Sequence, residues 1–145
     1  MGFPQRILVA VDFTEISDHA LDAAADLARK AHASLCVMAA VDPHGSETLR
    51  GALQHLARLA AHAEHTDQPG GADLAVDTLV AAGDPREAIV SAARGTHADL
   101  IVVGTHVRGS IPPAGGRGAS GSVAEAVVRT SDVPVMVVRG VVPRS

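Results

Sequence analysis

Residues 99–139, DLIVVGTHVRGSIPPAGGRGASGSVAEAVVRTSDVPVMVVR, decide the fold. They read as strand, long glycine-rich loop, helix and strand. Leu100, Ile101, Val102 and Val103 form an all-apolar run ended by Gly104, the pattern of a strand buried on both faces of a parallel sheet. Gly104, Gly109, Gly115, Gly116, Gly118 and Gly121 crowd into eighteen residues, well above the usual one in about fourteen. Gly121 and Ser122 open a helix whose Val123, Ala124, Val127 and Val128 recur at helical spacing. The apolar run Val133 to Val138 makes a last strand. A glycine-rich backbone that leads into a helix N-terminus is a candidate anion site, because unpaired amides and the helix dipole favour negative charge there. A phosphate-bearing ligand is the first expectation.

The chain before this stretch alternates in the same way. Arg6 to Asp12 reads as a strand, and Ser17 or Asp18 starts a helix with Ala20, Leu21, Ala24, Leu27 and Ala28 on one face. Ala33 to Val41 is a second strand, stopped at Asp42-Pro43. Ser46 opens a second helix with Leu49, Leu53, Leu56, Leu59 and Ala60 as its core stripe, broken by residues 68–71. Leu74 to Ala81 is a third strand. Asp84 as N-cap and Pro85 at the first helical position begin a third helix, with Ala88, Ile89 and Ala92 facing inward. Strict alternation of strand and helix predicts an α/β fold, a parallel sheet with helices on both faces, in a single domain covering residues 1–145.

Composition narrows the function. The chain has 145 residues, of which 47% are hydrophobic, and a formal charge of −4, which argues against a dedicated nucleic-acid binder. Phe3 and Phe13 are its only Phe, Tyr or Trp residues, so the stacking platforms of single-strand binders are missing. No apolar run reaches the roughly 18 residues that span a bilayer, and the N-terminus enters a strand directly rather than a leader; no membrane is expected, and the location expected is cytoplasmic. Cys36 lies in an apolar run and reads as a small core residue.

The motifs exclude more than they assign. Residues 116–121 match G-x-G-x-x-G, but a dozen loop residues separate them from the preceding strand, and no acid ends the following one; the dinucleotide fingerprint needs both. The Walker pattern is absent, and the lone lysine, Lys30, is far from any glycine loop. No nucleophile or carboxylate pair can be placed from spacing, so no catalytic residue is assigned. Asp12, at the end of the first strand, has two readings. It either caps the first helix or lines a crevice at the carboxyl ends of the strands, where a carboxylate accepts sugar hydroxyls or holds a divalent cation. His55, His62 and His65 read as a solvated face of the second helix, without a third ligand at zinc spacing. His106, in the loop beside the crevice, and the loop's Arg108 and Arg117 are candidates to meet a ligand.

With those residues in place, the chain resembles the universal stress proteins of the single-domain type, over about residues 5–139. ILVAVDFTEISDHAL, GDPREAIVSAA, ADLIVVGTH and GSVAEAVVRTSDVPVMVVR carry the resemblance. It implies an open five-stranded parallel sheet in the order 3-2-1-4-5, the Rossmann-like adenine nucleotide α-hydrolase type, with a homodimer formed through the last strand, Val133 to Val138. It also implies a regulatory protein of the stress response.

One branch of that family binds ATP through G-x-x-G, nine residues, then G-[ST]. On this pattern Gly104 is the first glycine and Gly121-Ser122, followed by Val123, the final pair. Asp12, with Ala10 and Val11 before it, matches the acid on the ribose or Mg2+ side, and Ala40-Val41 the backbone beside adenine. Here Val107 stands at the second glycine, and thirteen residues separate it from Gly121. Valine resists the positive φ that a glycine adopts in such a turn. Two outcomes follow. Either the longer loop presents Gly115, Gly116 and Gly118 amides with Arg117 to the phosphates, or the protein is a dimeric module that binds no ATP and docks an unknown protein partner. The first outcome makes a nucleotide holder with at most slow hydrolysis. An adenylating ligase on this fold is disfavoured, because no serine-glycine pyrophosphate loop follows the first strand.

Overall fold

The computed structural model describes residues 2–44, 49–65, 74–106 and 119–140. Within them five strands and four helices alternate: β1 (Arg6–Ala10), α1 (Glu15–Ala31), β2 (Ser34–Val41), α2 (Leu49–Glu64), β3 (Val76–Ala82), α3 (Pro85–Thr96), β4 (Leu100–His106), α4 (Ala119–Thr130) and β5 (Val135–Gly140). The strands form one sheet in the order β3-β2-β1-β4-β5, every described pair parallel. The expected order and helical layers are therefore present.

Alternation along each strand divides the core into two layers. Ile7, Val9, Leu35, Val37 and Val102 face α1 and α2, while Leu8, Met38, Ile101 and Val103 face α3 and α4. The inner face of α1 is Ala20, Leu21, Ala24, Ala25 and Ala28. Such small side chains let the helix lie close on the sheet. Leu27, expected on that face, is only partly buried.

Several sequence expectations are corrected. Helix α1 starts earlier than Ser17, because Thr14 is the N-cap and its hydroxyl accepts the Ser17 amide at 3.3 Å. The core stripe of α2 is Ala52, Leu56, Ala60 and Ala63, whereas Leu49 and Leu53 are 60% and 44% exposed. The alanines bring this helix close to the sheet and leave the bulkier leucines on the outer flank. Val128 is likewise exposed, one helical step past the buried Val127. Helix α4 begins at Ala119 rather than Gly121, and β5 begins after Pro134, which has no amide to give a ladder. β1 ends at Ala10 rather than Asp12, and β3 begins at Val76 rather than Leu74. The proposed start of the second helix at Ser46 and the break at residues 68–71 lie outside the described residues.

Two polar clips fix the edges of this frame. Arg29 of α1 donates through Nη2 to the carbonyls of Ala63 and His65, so it satisfies orphan acceptors at the end of α2. Asp99, just before β4, accepts the Gln5 amide at 2.9 and 3.1 Å and the Arg6 amide at 3.0 Å, which sets the register of β1 against β4. Hydrogen bonds to charged groups are each worth about 1.5–3 kcal/mol when dry and less where water competes. Asp99→Ala should therefore lower Tm by roughly 3–8 °C in thermal unfolding followed by circular dichroism, and Asp99→Asn, which keeps one acceptor, by less. An unchanged Tm for Asp99→Ala would show that the clip contributes nothing.

Candidate functional site

Beyond β1 the chain turns sharply and locks. Val11 is buried and its amide reaches the Met38 carbonyl at 2.8 Å. Asp12 then forms an Asx turn: its Oδ1 accepts the Thr14 amide at 3.1 Å and the Thr14 hydroxyl at 2.5 Å. Ser17, a buried polar residue, accepts the Asp12 amide through Oγ at 3.2 Å and donates to the Thr14 carbonyl at 3.0 Å. Asp12 is thus not the cap of α1; it holds the residue that is. Its Oδ2 has no hydrogen-bond partner among the described residues. Phe13, between the two, has φ of +65°, a region that costs a bulky residue about 1–3 kcal/mol.

The first turn of α1 comes down on β4 at Gly104. A Cβ at that position would lie 3.1 Å from Ile16 Cγ2 and 3.2 Å from the Ile16 carbonyl oxygen. Only a residue without a side chain lets the helix start this close to the strand. Between this contact and the starts of α3 and α4 a crevice of about 330 Å³ opens, lined by Ala10, Val11, Asp12, Thr14, Ile16, Ser17, Ala40, Pro85, Ile89, Val103, Gly104, Thr105 and Val123. It lies at the carboxyl ends of β1 and β4, where the strand order reverses direction, the usual ligand position in open α/β sheets. Its volume is at the small end of ordinary ligand sites, which run from about 300 to 1,000 Å³.

Neighbouring groups are committed elsewhere. Asp84 caps α3 by accepting the Arg86 amide at 2.9 Å, and its side chain also pairs with the Arg86 guanidinium at 2.8 Å. The hydrogen bonds from Arg86 hold its carboxyl below the usual 3.8. At the opposite end of the sheet, Cys36 lines a groove with Arg6, Ser34 and Asp77. Burial first, and then the Asp77 charge, push its thiol up to about 11, so at neutral pH it is a protonated, unreactive group.

The universal stress protein family matches residues 4–139. The chain belongs to the universal stress protein family. No curated protein sequence matches it. Among solved structures, a universal stress protein in complex with cAMP is 30% identical, with a TM-score of 0.67 over 92% of this chain and 95% of that one. The universal stress protein of Archaeoglobus fulgidus in complex with dAMP is 25% identical, with a TM-score of 0.61 over 92% and 96% of the two chains. Universal stress protein UspA of Lactobacillus plantarum is 27% identical, with a TM-score of 0.65 over 93% and 97%.

In this universal stress protein, Ala10, Val11, Asp12, Ala40, Gly104 and Val123, six of the candidate residues, line the crevice together. Val41 does not line it: the residue is buried at the end of β2, and its carbonyl accepts the Gly83 amide at 3.0 Å. His106 is the last residue of β4, paired with Gly140, not a loop residue. Gly121 and Ser122 sit inside the first turn of α4. Arg108, Gly116, Arg117 and Gly118 lie outside the described residues, as does Val107. His62 and His65 are exposed, but His55 is half-buried and stacked on Phe13. Thr14, Ile16 and Ser17 were missed as site residues; the D-x-T spacing of an Asx turn was their signal. Pro85 and Ile89 were missed because nothing local places the start of α3 beside that of α4.

Among the described residues no cluster of three His, Cys, Asp or Glu side chains could hold a metal. Asp12 alone fits a Mg2+ only where a ligand's phosphates supply further oxygens, the ordinary arrangement for this ion. No described helix is long and apolar enough to cross a membrane.

The Gly104 contact carries a direct test. Gly104→Ala must push the start of α1 outward by a few tenths of an ångström, and overpacking of this kind costs about 1–3 kcal/mol. Gly95, inside α3, has nothing within 4 Å of where a Cβ would lie, so Gly95→Ala should instead stabilise by about 0.5–1 kcal/mol. Thermal unfolding of the two variants should move Tm in opposite directions; equal shifts would refute the steric reading of Gly104.

Proposed function

We propose that this protein is a regulatory universal stress protein that binds an adenine nucleotide, ATP or a relative of it, in the β1/β4 crevice. The observation that carries the reading is the Oδ2 of Asp12, unpartnered among the described residues, in a crevice whose walls include Ala10, Ala40, Ile89, Val103 and Val123. A nucleoside needs that combination: apolar contact for the base and a fixed acceptor for the ribose hydroxyls. The cAMP and dAMP held by two relatives of similar fold support it.

Roles follow from position. Asp12 accepts a ribose hydroxyl or, with the phosphates, shares a Mg2+, which would neutralise phosphate charge. The first-turn amides of α4 up to that of Gly121 precede the first bond of the helical ladder and suit the phosphates, with Ser122 next to them. Arg108, Gly116, Arg117 and Gly118 belong to the same proposal as the loop's contribution, with His106 at its start. The reading is of a protein that holds its nucleotide, with at most slow hydrolysis.

Assembly through β5 is the second part of the proposal. β5 ends the sheet order, and its Val137 is 36% exposed beside the exposed Val128 of α4. The other edge, β3, shows Asp77 and Thr78 to solvent, and charge on an edge discourages pairing. A second copy related by a two-fold axis would pair both β5 edges antiparallel. If the crevice holds no nucleotide, this surface leaves the alternative of a dimeric interaction module.

Calorimetry with ATP and Mg2+ should show saturable binding, weaker than in relatives with both glycines, and the double variant Gly121→Val, Ser122→Ala should abolish it. No heat at millimolar nucleotide, together with no adenine compound released from the purified protein, would end the nucleotide reading. Light scattering should find a dimer at tens of micromolar and a monomer for Val137→Glu; a wild-type monomer would end the dimer reading.

A further inference from the structure

We propose that His55 is a positioning residue for the crevice: stacked on Phe13, it fixes the turn that presents the Asp12 carboxylate. The inference rests on the nucleotide reading for its ligand, and on the geometry of the turn for its mechanism. Phe13 is the anomaly that leads to it. Among the described residues, the other two non-glycine residues at positive φ, His32 and His97, are ordinary left-handed ends of α1 and α3. Phe13 ends no helix. It stands between β1 and α1, and no hydrogen bond among the described residues involves its backbone. Besides the Asp12–Thr14 bonds that bracket it, something must hold its ring there.

The holder is the imidazole of His55 in α2. The two rings lie 4.1 Å apart between centroids and within 7° of parallel. Phe13 is half-buried against the core layer that includes Leu56, the residue next to His55. None of the described residues of α2 lines the crevice, so His55 reaches the site only through Phe13. Asp12 and Thr14 flank Phe13 directly, and Asp12 Oδ1 bonds both the amide and the hydroxyl of Thr14. A change of φ at Phe13 rotates the Thr14 amide relative to the Asp12 carboxylate. Those two bonds then break, and the oxygen that faces a ligand is no longer held in one direction. A stack of flat rings opposes that rotation as a small aliphatic side chain cannot, because ring slippage loses contact over the whole face.

The test is a double-mutant cycle read by calorimetry with AMP and with ATP and Mg2+, beside amide exchange of the ligand-free protein. His55→Ala should weaken binding about tenfold, and His55→Phe, which keeps the stack, should restore it to within about twofold. In an Asp12→Ala background His55→Ala should cause no further loss, since its effect passes through that carboxylate. Without ligand, His55→Ala should speed exchange of the Thr14 and Ser17 amides and leave Leu8 and Val9 of β1 unchanged; His55→Phe should exchange as the wild type does. Wild-type affinity in His55→Ala, additive losses in the cycle, or unaltered Thr14 exchange would each overturn the proposal. If the wild-type protein binds neither nucleotide, the nucleotide reading falls, and the exchange of Thr14 and Ser17 alone decides whether His55 positions the turn.

Discussion

The structure depends on one close approach, the first turn of α1 against the backbone of β4 at Gly104. A parallel sheet that reverses its winding direction leaves a gap between its two central strands. How deep that gap is depends on how near the helix after β1 can come to the strand beside it. At Gly104 a Cβ would meet Ile16 Cγ2 at 3.1 Å and the Ile16 carbonyl oxygen at 3.2 Å, so a side chain there would hold the helix off. The alanine face of α1 continues the same economy of side-chain volume along the helix. The result is a crevice whose walls come from β1, β2, β4 and the starts of three helices.

Polar chemistry at the crevice is organised around the same turn. Asp12, Thr14 and Ser17 satisfy one another: the carboxylate holds the capping threonine, the threonine caps the helix, and the buried serine ties the two backbones together. Among the described residues, one carboxylate oxygen is left over. One oxygen of the side chain therefore serves the turn, and the other is the one that the proposed ligand role would use; the capping reading of Asp12 is replaced by Thr14 as the N-cap. The committed oxygen fixes the direction of the other, and a preset acceptor loses less freedom when a ligand arrives.

Much of the fold was legible because its signals are local. The apolar run at Leu100 to Val103, the Asp84-Pro85 cap and the alternation of strand and helix each report on a few residues. The fold order followed from the family resemblance and is the one found. Misreadings came where packing distance, not polarity, decides. On α2 an alanine stripe at 52, 60 and 63 outcompetes the leucines at 49 and 53, since small residues bring backbones closer than hydropathy alone suggests. Of the crevice lining, Asp12 and Gly104 were readable from their place at the ends of strands, and Val123 from the family pattern. Ser17 had a local signal in the D-x-T spacing of the Asx turn, whereas Ile89 and the ring pair of Phe13 and His55 depend on contacts between segments far apart in the chain. His55 was read as a solvated helix residue for the same reason.

The central claim is that an adenine nucleotide sits between β1 and β4, over the turn at Asp12. Amide chemical shifts of the isotope-labelled protein, followed through a titration with AMP, test it most directly. The account predicts saturating changes at residues 10–17, at Ala40 and Gly104, and at residues 121–123 at the start of α4. Changes centred instead on Arg6, Ser34, Cys36 and Asp77 at the opposite end of the sheet, or no saturating change anywhere, would contradict it.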